Sequence, residues 1–365
     1  MAVSPSRLLG RVLCPICLQW IHWRKAPRVE IDPDTGAHQP FRPRGQNETR
    51  EAFEQRRLRA QRLCILMRDG ISSTHYLPDK YGDFGDPVVI GLVGHRAAGK
   101  TLLLAAMVDA LRNDPRLAAL GLTVNRLDED IDRRYMSGFV EPFLHHRKQL
   151  DLTQISPITF SYAARVRSAH ANREFAVAFF DVAGEQYTRQ RTNEHGMDAY
   201  FLSAVSALMF VVDPDKALPA VLGQPGAAFG DPAFNAVVDR LIDVRRRGEA
   251  FLPIPAAMVV GKADLLEYRR PEVQDWLSRN DDLDLATVAA ESEDVYAFLA
   301  NNGAERFLRP VQNVSDVTLH FASAAGTEPV DGVFPAERFG PRRVLRPLLS
   351  LFAMTGIVDR SRLGD

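Results

Sequence analysis

Apolar residues in this chain gather into short runs separated by polar segments rich in turn formers. Val88-Val89-Ile90-Gly91-Leu92-Val93 is mostly β-branched and reads as a buried strand. Further strands are predicted at 157–167, 175–181, 206–212, 255–260 and 317–322. Helices are predicted at 100–112, 128–149, 196–205, 230–247, 285–307 and 342–354. Strands and helices that alternate in this way predict an α/β fold: a mostly parallel sheet with helices on both faces. The connection Ser168 to Asn172 is short and polar, so 157–167 and 175–181 should form a hairpin with one antiparallel strand. Gly223 to Asp231 reads as a loop.

The N-terminal fifth has a different texture. Ile31-Asp32-Pro33-Asp34-Thr35-Gly36 is a turn, and Pro40, Pro43 and Gly45 prolong the irregular composition. Glu48 to Met67 reads as a helix in which Arg50, Arg56, Arg57, Arg59 and Arg62 alternate with Glu48, Glu51 and Glu54. That mixture suits a solvated, salt-bridged face better than a nucleic-acid surface. The expected organisation is a small element at 1–46, a helical linker at 47–80 and one domain at 81–365.

Composition narrows the class. The chain has 365 residues, 46% hydrophobic and 25% charged, with a net charge of −1. These are values of a globular chain with no overall pull toward nucleic acid or membrane. Its three cysteines do not suggest a disulfide framework. No apolar run reaches membrane-spanning length, and the N-terminus has no signal-peptide core, so a cytoplasmic protein is expected.

The first strand flows into Gly94-His95-Arg96-Ala97-Ala98-Gly99-Lys100-Thr101, and a helix follows. Strand, glycine loop and helix together form the context a Walker A phosphate loop requires. Gly94 and Gly99 would let the backbone wrap phosphate, with successive N–H groups and the helix N-terminus aimed at the anion. Lys100 would reach the β- and γ-phosphates, and the Thr101 hydroxyl would ligate Mg²⁺. A second apolar strand ends in Asp181-Val182-Ala183-Gly184-Glu185. A carboxylate at the end of a neighbouring strand is where nucleotide-bound Mg²⁺ needs a partner, and Gly184 would bring an N–H close to the γ-phosphate.

Two further segments follow in order: Met258-Val259-Val260-Gly261-Lys262-Ala263-Asp264 and Phe321-Ala322-Ser323-Ala324-Ala325-Gly326. The set resembles a translation-factor- or Ras-like GTPase core, most of all the bacterial TRAFAC-class GTPases of the double-GTPase type, over about residues 76–356. The resemblance implies a P-loop GTPase fold that binds GTP and GDP with Mg²⁺, and an effector protein not identified by any residue here. Asp264 would read the guanine N1 and N2 donors, the Lys262 stem would cover the base, and Ser323 and Ala324 would back it. Thr153, ahead of the second strand, is the expected switch threonine on Mg²⁺, with Thr159 as runner-up. Asp181 is expected to reach the metal through water.

Three departures from the family pattern qualify the expectation. Gly261 stands where Asn or Thr is usual, Arg96 where small residues are common, and Glu185 where Gln or His orients water. The reading is therefore a slow GTPase switch, with catalysis expected from Lys100, Thr153 and Glu185. The alternatives are a nucleotide-dependent scaffold without turnover and a P-loop ATPase. Asp213-Pro214-Asp215 is given a structural reading.

Cys14-Pro15-Ile16-Cys17 forms a knuckle-like turn whose two thiolates can share one tetrahedral Zn²⁺. Cys64, His22, His38 and His75 are the candidates for its remaining ligands. Cys64 sits in Leu63-Cys64-Ile65-Leu66-Met67, which the helical reading makes a core residue.

Overall fold

The computed structural model describes residues 10–17, 19–32, 35–68, 71–151, 161–181, 205–224, 230–245, 250–279 and 283–364. Residues 196–204 of the helix expected at 196–205, together with Thr153, Thr159, Gly184 and Glu185, lie outside the described residues.

The described residues form three sheets. A two-stranded one joins β1 (Arg11–Leu13) to β2 (Trp20–His22). A four-stranded antiparallel one has the order β4-β3-β5-β6, from β3 (Arg28–Ile31), β4 (His38–Pro40), β5 (Gln61–Arg68) and β6 (Ile71–Pro78). The helix expected from Glu48 to Met67 is therefore shorter. Helix α1 covers Arg50–Leu58, with the Thr49 hydroxyl accepting the Ala52 N–H, and the chain turns at Arg59 and Ala60 into β5. Eight residues of β5 pair with β6, and that tertiary pairing overrides the helical pattern.

The main sheet has seven strands in the order β13-β12-β11-β7-β10-β9-β8. They are β7 (Val88–Val93), β8 (Leu122–Arg126), β9 (Tyr162–Ser168), β10 (Arg173–Asp181), β11 (Ala207–Val212), β12 (Leu252–Val260) and β13 (Val314–Phe321). Pairings from β13 through β10 are parallel, and β9 is antiparallel to both its neighbours, as the short 168–172 connection requires. Edge strand β8 was not foreseen; Leu-Thr-Val-Asn-Arg is too short and polar to stand out.

Strand residues alternate between two cores. Ile90, Leu92, Phe179, Met209 and Val259 face one side, where they meet α2 (Lys100–Asn113) and α7 (Leu345–Met354). Val89, Val93, Phe180, Phe210 and Val260 face the other. There they share a core with α4 (Pro232–Arg245), α5 (Pro271–Ser278), α6 (Val288–Asn301) and residues of the N-terminal part, among them Val12 and Leu77 of its strands and Trp23 and Tyr81 of its turns. Burial on both faces explains why the central strands read as unbroken apolar runs. Gly82 packs directly against this N-terminal part. A Cβ there would stand 2.4 Å from Val12 Cγ2 and 2.6 Å from Trp23 Cδ2.

The helix expected at 128–149 divides in two. Helix α3 (Glu129–Tyr135) is followed by a π-helical segment, Met136–His145, containing Pro142. Proline has no N–H to give to an α-helical ladder, so the wider winding accommodates it. No described helix is long and apolar enough to cross a membrane.

Candidate functional site

The C-terminal ends of β7, β10, β12 and β13 converge on one edge of the parallel sheet. In open α/β sheets this edge is where ligands bind. β7 ends in the glycine loop. A Cβ on Gly94 would stand 2.7 Å from the Val211 carbonyl oxygen, so only glycine lets the loop leave beside β11. Ala97 and Gly99 have φ of +65° and +85°, and Gly99 caps α2. The Lys100 ammonium is buried and donates to the Gly94 and His95 carbonyls at 3.0 and 3.1 Å. Arg96 is exposed on the outside of the loop.

Thr101 donates its hydroxyl to Asp181 Oδ2 at 2.5 Å, joining the start of α2 to the end of β10. Burial raises the Asp181 pKa, with Lys100 and the Thr101 hydroxyl opposing. Asp181 Oδ1 is buried and has no hydrogen-bond partner among the described residues.

Asp231 was read only as the end of a loop. Its Oδ2 accepts the His95 N–H at 2.7 Å while Oδ1 accepts the Ala233 N–H at 2.8 Å. The carboxylate thus caps α4 and holds the glycine loop at once. Its sequence signal is local, an Asp before the Pro232 that opens a helix. Nothing local points to His95, 136 residues away.

Beyond β12, Gly261 donates its N–H to the Val212 carbonyl at 3.0 Å. A Cβ there would lie 3.5 Å from the Ala98 carbonyl oxygen and 3.2 Å from Val211 Cγ1. Lys262 takes a left-handed φ of +48°. Its ammonium reaches Asp213 Oδ1 at 2.9 Å and Asp215 Oδ2 at 3.2 Å. Burial works against its charge, but the two carboxylates prevail and raise its pKa. The structural reading of Asp213-Pro214-Asp215 thus acquires content: it orients Lys262. A Cβ on Gly99 would be 4.0 Å from the Lys262 stem, so this side chain lies alongside the glycine loop.

Asp264 Oδ1 accepts the Ser323 hydroxyl at 2.5 Å, and Ser323 Oγ accepts the Gly326 N–H at 2.8 Å. Burial raises the Asp264 pKa, and the Ser323 bond opposes it. Ala324 follows Ser323, half-buried. Asp264 lines a cleft of about 550 Å³ with Asp215, Glu267, Arg338, Phe339 and Arg342. Arg342 and Glu267 form a bidentate pair, both bonds 2.7 Å. The outer wall comes from the segment after Gly326, whose φ of +76° and packing against the Arg338 and Gly340 carbonyls exclude a side chain. That segment also reaches back. Gln149 N–H donates to Gly332 O at 2.8 Å and Phe334 N–H to Arg147 O at 2.7 Å. Phe143 packs edge-on against Phe334 and Phe339.

Far along the chain from these residues, Cys14, Cys17, Cys64 and His75 form a second group that could hold a metal ion. Cys14–Cys17 is the turn between β1 and β2, and Cys64 and His75 are directly opposed on β5 and β6. Cys64 is buried, but as a strand residue facing the knuckle rather than part of a helix. His22 and His38 do not join the group: His22 Nε2 meets Arg11, and His38 stacks on Tyr76 and bonds Gln61. Hydrogen bonding from the Cys14 and Cys64 thiols lowers the Cys17 pKa, and the same sharing holds Cys14 and Cys64 up.

No family model and no curated protein matches the chain. Among solved structures it is similar to bacterial selenocysteine-specific elongation factor EF-Sec, with 16% identity and a TM-score of 0.26, over 65% of this chain and 26% of that one. It is similar to Sup35 complexed with GDP, with 16% identity and a TM-score of 0.29, over 75% and 46% of the two chains. It is also similar to the GTPase-like domain of S. cerevisiae Ski7 bound to GTP, with 12% identity and a TM-score of 0.28, over 73% and 50%. The chain spans from about a quarter to half the length of these proteins.

Proposed function

We propose that the protein is a GTP-binding switch with a P-loop GTPase fold and slow, Mg²⁺-dependent hydrolysis. One observation carries the reading. Lys100 and the Thr101–Asp181 bond lie at the ends of β7 and β10, while Lys262 and the Asp264–Ser323 bond lie at the ends of β12 and β13, on the same edge. Phosphate chemistry and base recognition thus have separate residues one strand crossing apart.

In this reading the Lys100 ammonium and the loop N–H groups from Arg96 to Thr101 take the phosphate charge, while the His95 N–H, expected there from the sequence, is held by Asp231. The Asp181 and Thr101 oxygens are hard donors, and the unsatisfied Oδ1 suits a hydrated cation, so this pair fits Mg²⁺. Bound Mg²⁺ would supply neutralisation of charge on the β- and γ-phosphate oxygens. Thr153 is assigned to the same ion, Gly184 to the γ-phosphate and Glu185 to holding the attacking water. Asp264 would accept the guanine N1–H and N2–H, which replace in part the solvation that burial removes. Lys262, held by Asp213 and Asp215, would lay its stem along the base.

The double-GTPase resemblance and an effector protein that responds to the γ-phosphate belong to the same proposal. The test is GTP binding by Lys100→Ala against wild type. A loss of affinity is expected, and equal affinity overturns the assignment. Gly261 favours one rival, an ATPase, because it leaves the Ala98 carbonyl without the usual side chain. Competition of ATP and GTP for a bound labelled guanine nucleotide decides between them.

A further inference from the structure

We infer that Cys14, Cys17, Cys64 and His75 form a closed, structural Zn²⁺ site that clasps the β1–β2 knuckle to the β5–β6 hairpin. Their ligand atoms all lie within 4.8 Å of one another. Cys17 Sγ is 3.6 Å from Cys64 Sγ, and Cys14 Sγ is 3.9 Å from His75 Nδ1. A tetrahedron with Zn–S bonds of about 2.3 Å has S···S edges of about 3.8 Å, so these spacings are those of ligands around one ion. They are far from the roughly 2.05 Å of a disulfide.

The topology supplies what a chance cluster of thiols would lack. Two ligands come from a Cys-x-x-Cys turn closed by Cys14 N–H donating to Gln19 O at 2.9 Å. The other two are a directly opposed cross-strand pair, so Cys64 and His75 present their side chains on one face of the hairpin. Cys14, Cys64 and His75 are buried and Cys17 is half-buried, which leaves four protein ligands and no open coordination position. That is the pattern of a structural site rather than a catalytic one. Three sulfurs and one imidazole select a borderline-soft cation and exclude Mg²⁺ and Ca²⁺.

The site has a mechanical task. Strands β1 and β2 have three residues each, too short to hold their own turn. On binding, three Zn–S bonds and one Zn–N bond form, and the thiols that carry protons release them to solvent. The knuckle then cannot separate from the hairpin. Val12 and Trp23, which flank the knuckle, are thereby held against Gly82, just ahead of β7. None of the four ligands belongs to the nucleotide residues, so the two proposals fail separately.

The experiment uses the full chain, purified under reducing conditions and analysed for metal by mass spectrometry. About one zinc per chain is expected. Replacement by Co²⁺ should give an intense thiolate-to-metal charge-transfer band and tetrahedral d–d absorption. Cys64→Ser and His75→Ala should each lose the metal, while His38→Ala and Lys100→Ala keep it. Because ligand variants can misfold, thiol alkylation of the wild type is a second reading. All three cysteines should be protected until a chelator is added. Sub-stoichiometric zinc together with no Co²⁺–thiolate band would overturn the site. So would full zinc in both ligand variants, or a Cys17–Cys64 disulfide peptide in the reduced preparation.

Discussion

The Asp231 carboxylate accepts the backbone N–H of His95 at 2.7 Å and caps helix α4 with its other oxygen. One side chain therefore fixes the outward path of the glycine loop. In Asp231→Ala both bonds are lost in a buried place, at a cost of about 1–3 kcal/mol. Chemical denaturation should show that loss. Nucleotide titration should show weaker binding with little change in the GTP-to-ATP preference, because the base residues are untouched.

Asp264→Asn should do the opposite. An amide keeps an acceptor for Ser323 but faces guanine with a donor. GTP affinity is expected to fall by about 10- to 100-fold, with ATP affinity unchanged. Parallel fall in both nucleotides would show that Asp264 does not read the base.

Gly261→Asn tests the family departure directly. Its Cβ would lie 3.5 Å from the Ala98 carbonyl oxygen, and the contact with Val211 Cγ1 at 3.2 Å requires only a small movement of a side chain. The carboxamide then has an acceptor on the phosphate loop. GTP should bind several-fold more tightly, equivalent to about 1 kcal/mol for one added hydrogen bond. Isothermal titration of the two proteins measures this.

A buried cluster behind the Ser323 loop should make the fold acid-sensitive. Glu291 Oε2 meets Arg346 Nε at 2.5 Å, Arg343 Nη2 at 3.0 Å and His320 Nδ1 at 3.2 Å, while Oε1 accepts the Phe321 N–H. Burial opposes ionisation of Glu291, but His320 and the two arginines hold its pKa down at about 2. A depressed carboxyl contributes stability above its unfolded pKa of about 4.3, and that stability is lost as pH falls toward 2. Burial lowers the His320 pKa, so the unfolded chain also gains a proton first as pH drops below about 6.5. Both signs agree: stability should fall from pH 7 to pH 3. Glu291→Gln should flatten the lower part of that curve and cost about 3–5 kcal/mol at neutral pH. Denaturation midpoints across pH report both.

Legibility followed burial. Strands β7, β11 and β12 lie in the middle of the sheet and announce themselves as continuous apolar runs. Leu63 to Met67 is equally apolar, but its strand state depends on pairing with β6, a partner that a local pattern does not contain. That single misreading left the choice among Cys64, His22, His38 and His75 open, because Cys64 faces His75 only in a hairpin. The phosphate side was legible where spacing is local, from Gly94 to Thr101. Asp231 and the Asp213–Lys262 pair were not, since each acts on a distant backbone or side chain.

Gly82 bears on how the chain comes apart. Trp23 and Val12 occupy the space where even a methyl group would sit, and their neighbours belong to the same core as the parallel sheet. Melting the N-terminal sheets would uncover Leu77 and Tyr81 and open one face of that shared interior. The two parts should therefore unfold as one cooperative unit, a single calorimetric peak, and a version of the chain starting after residue 46 should begin its existence already partly undone.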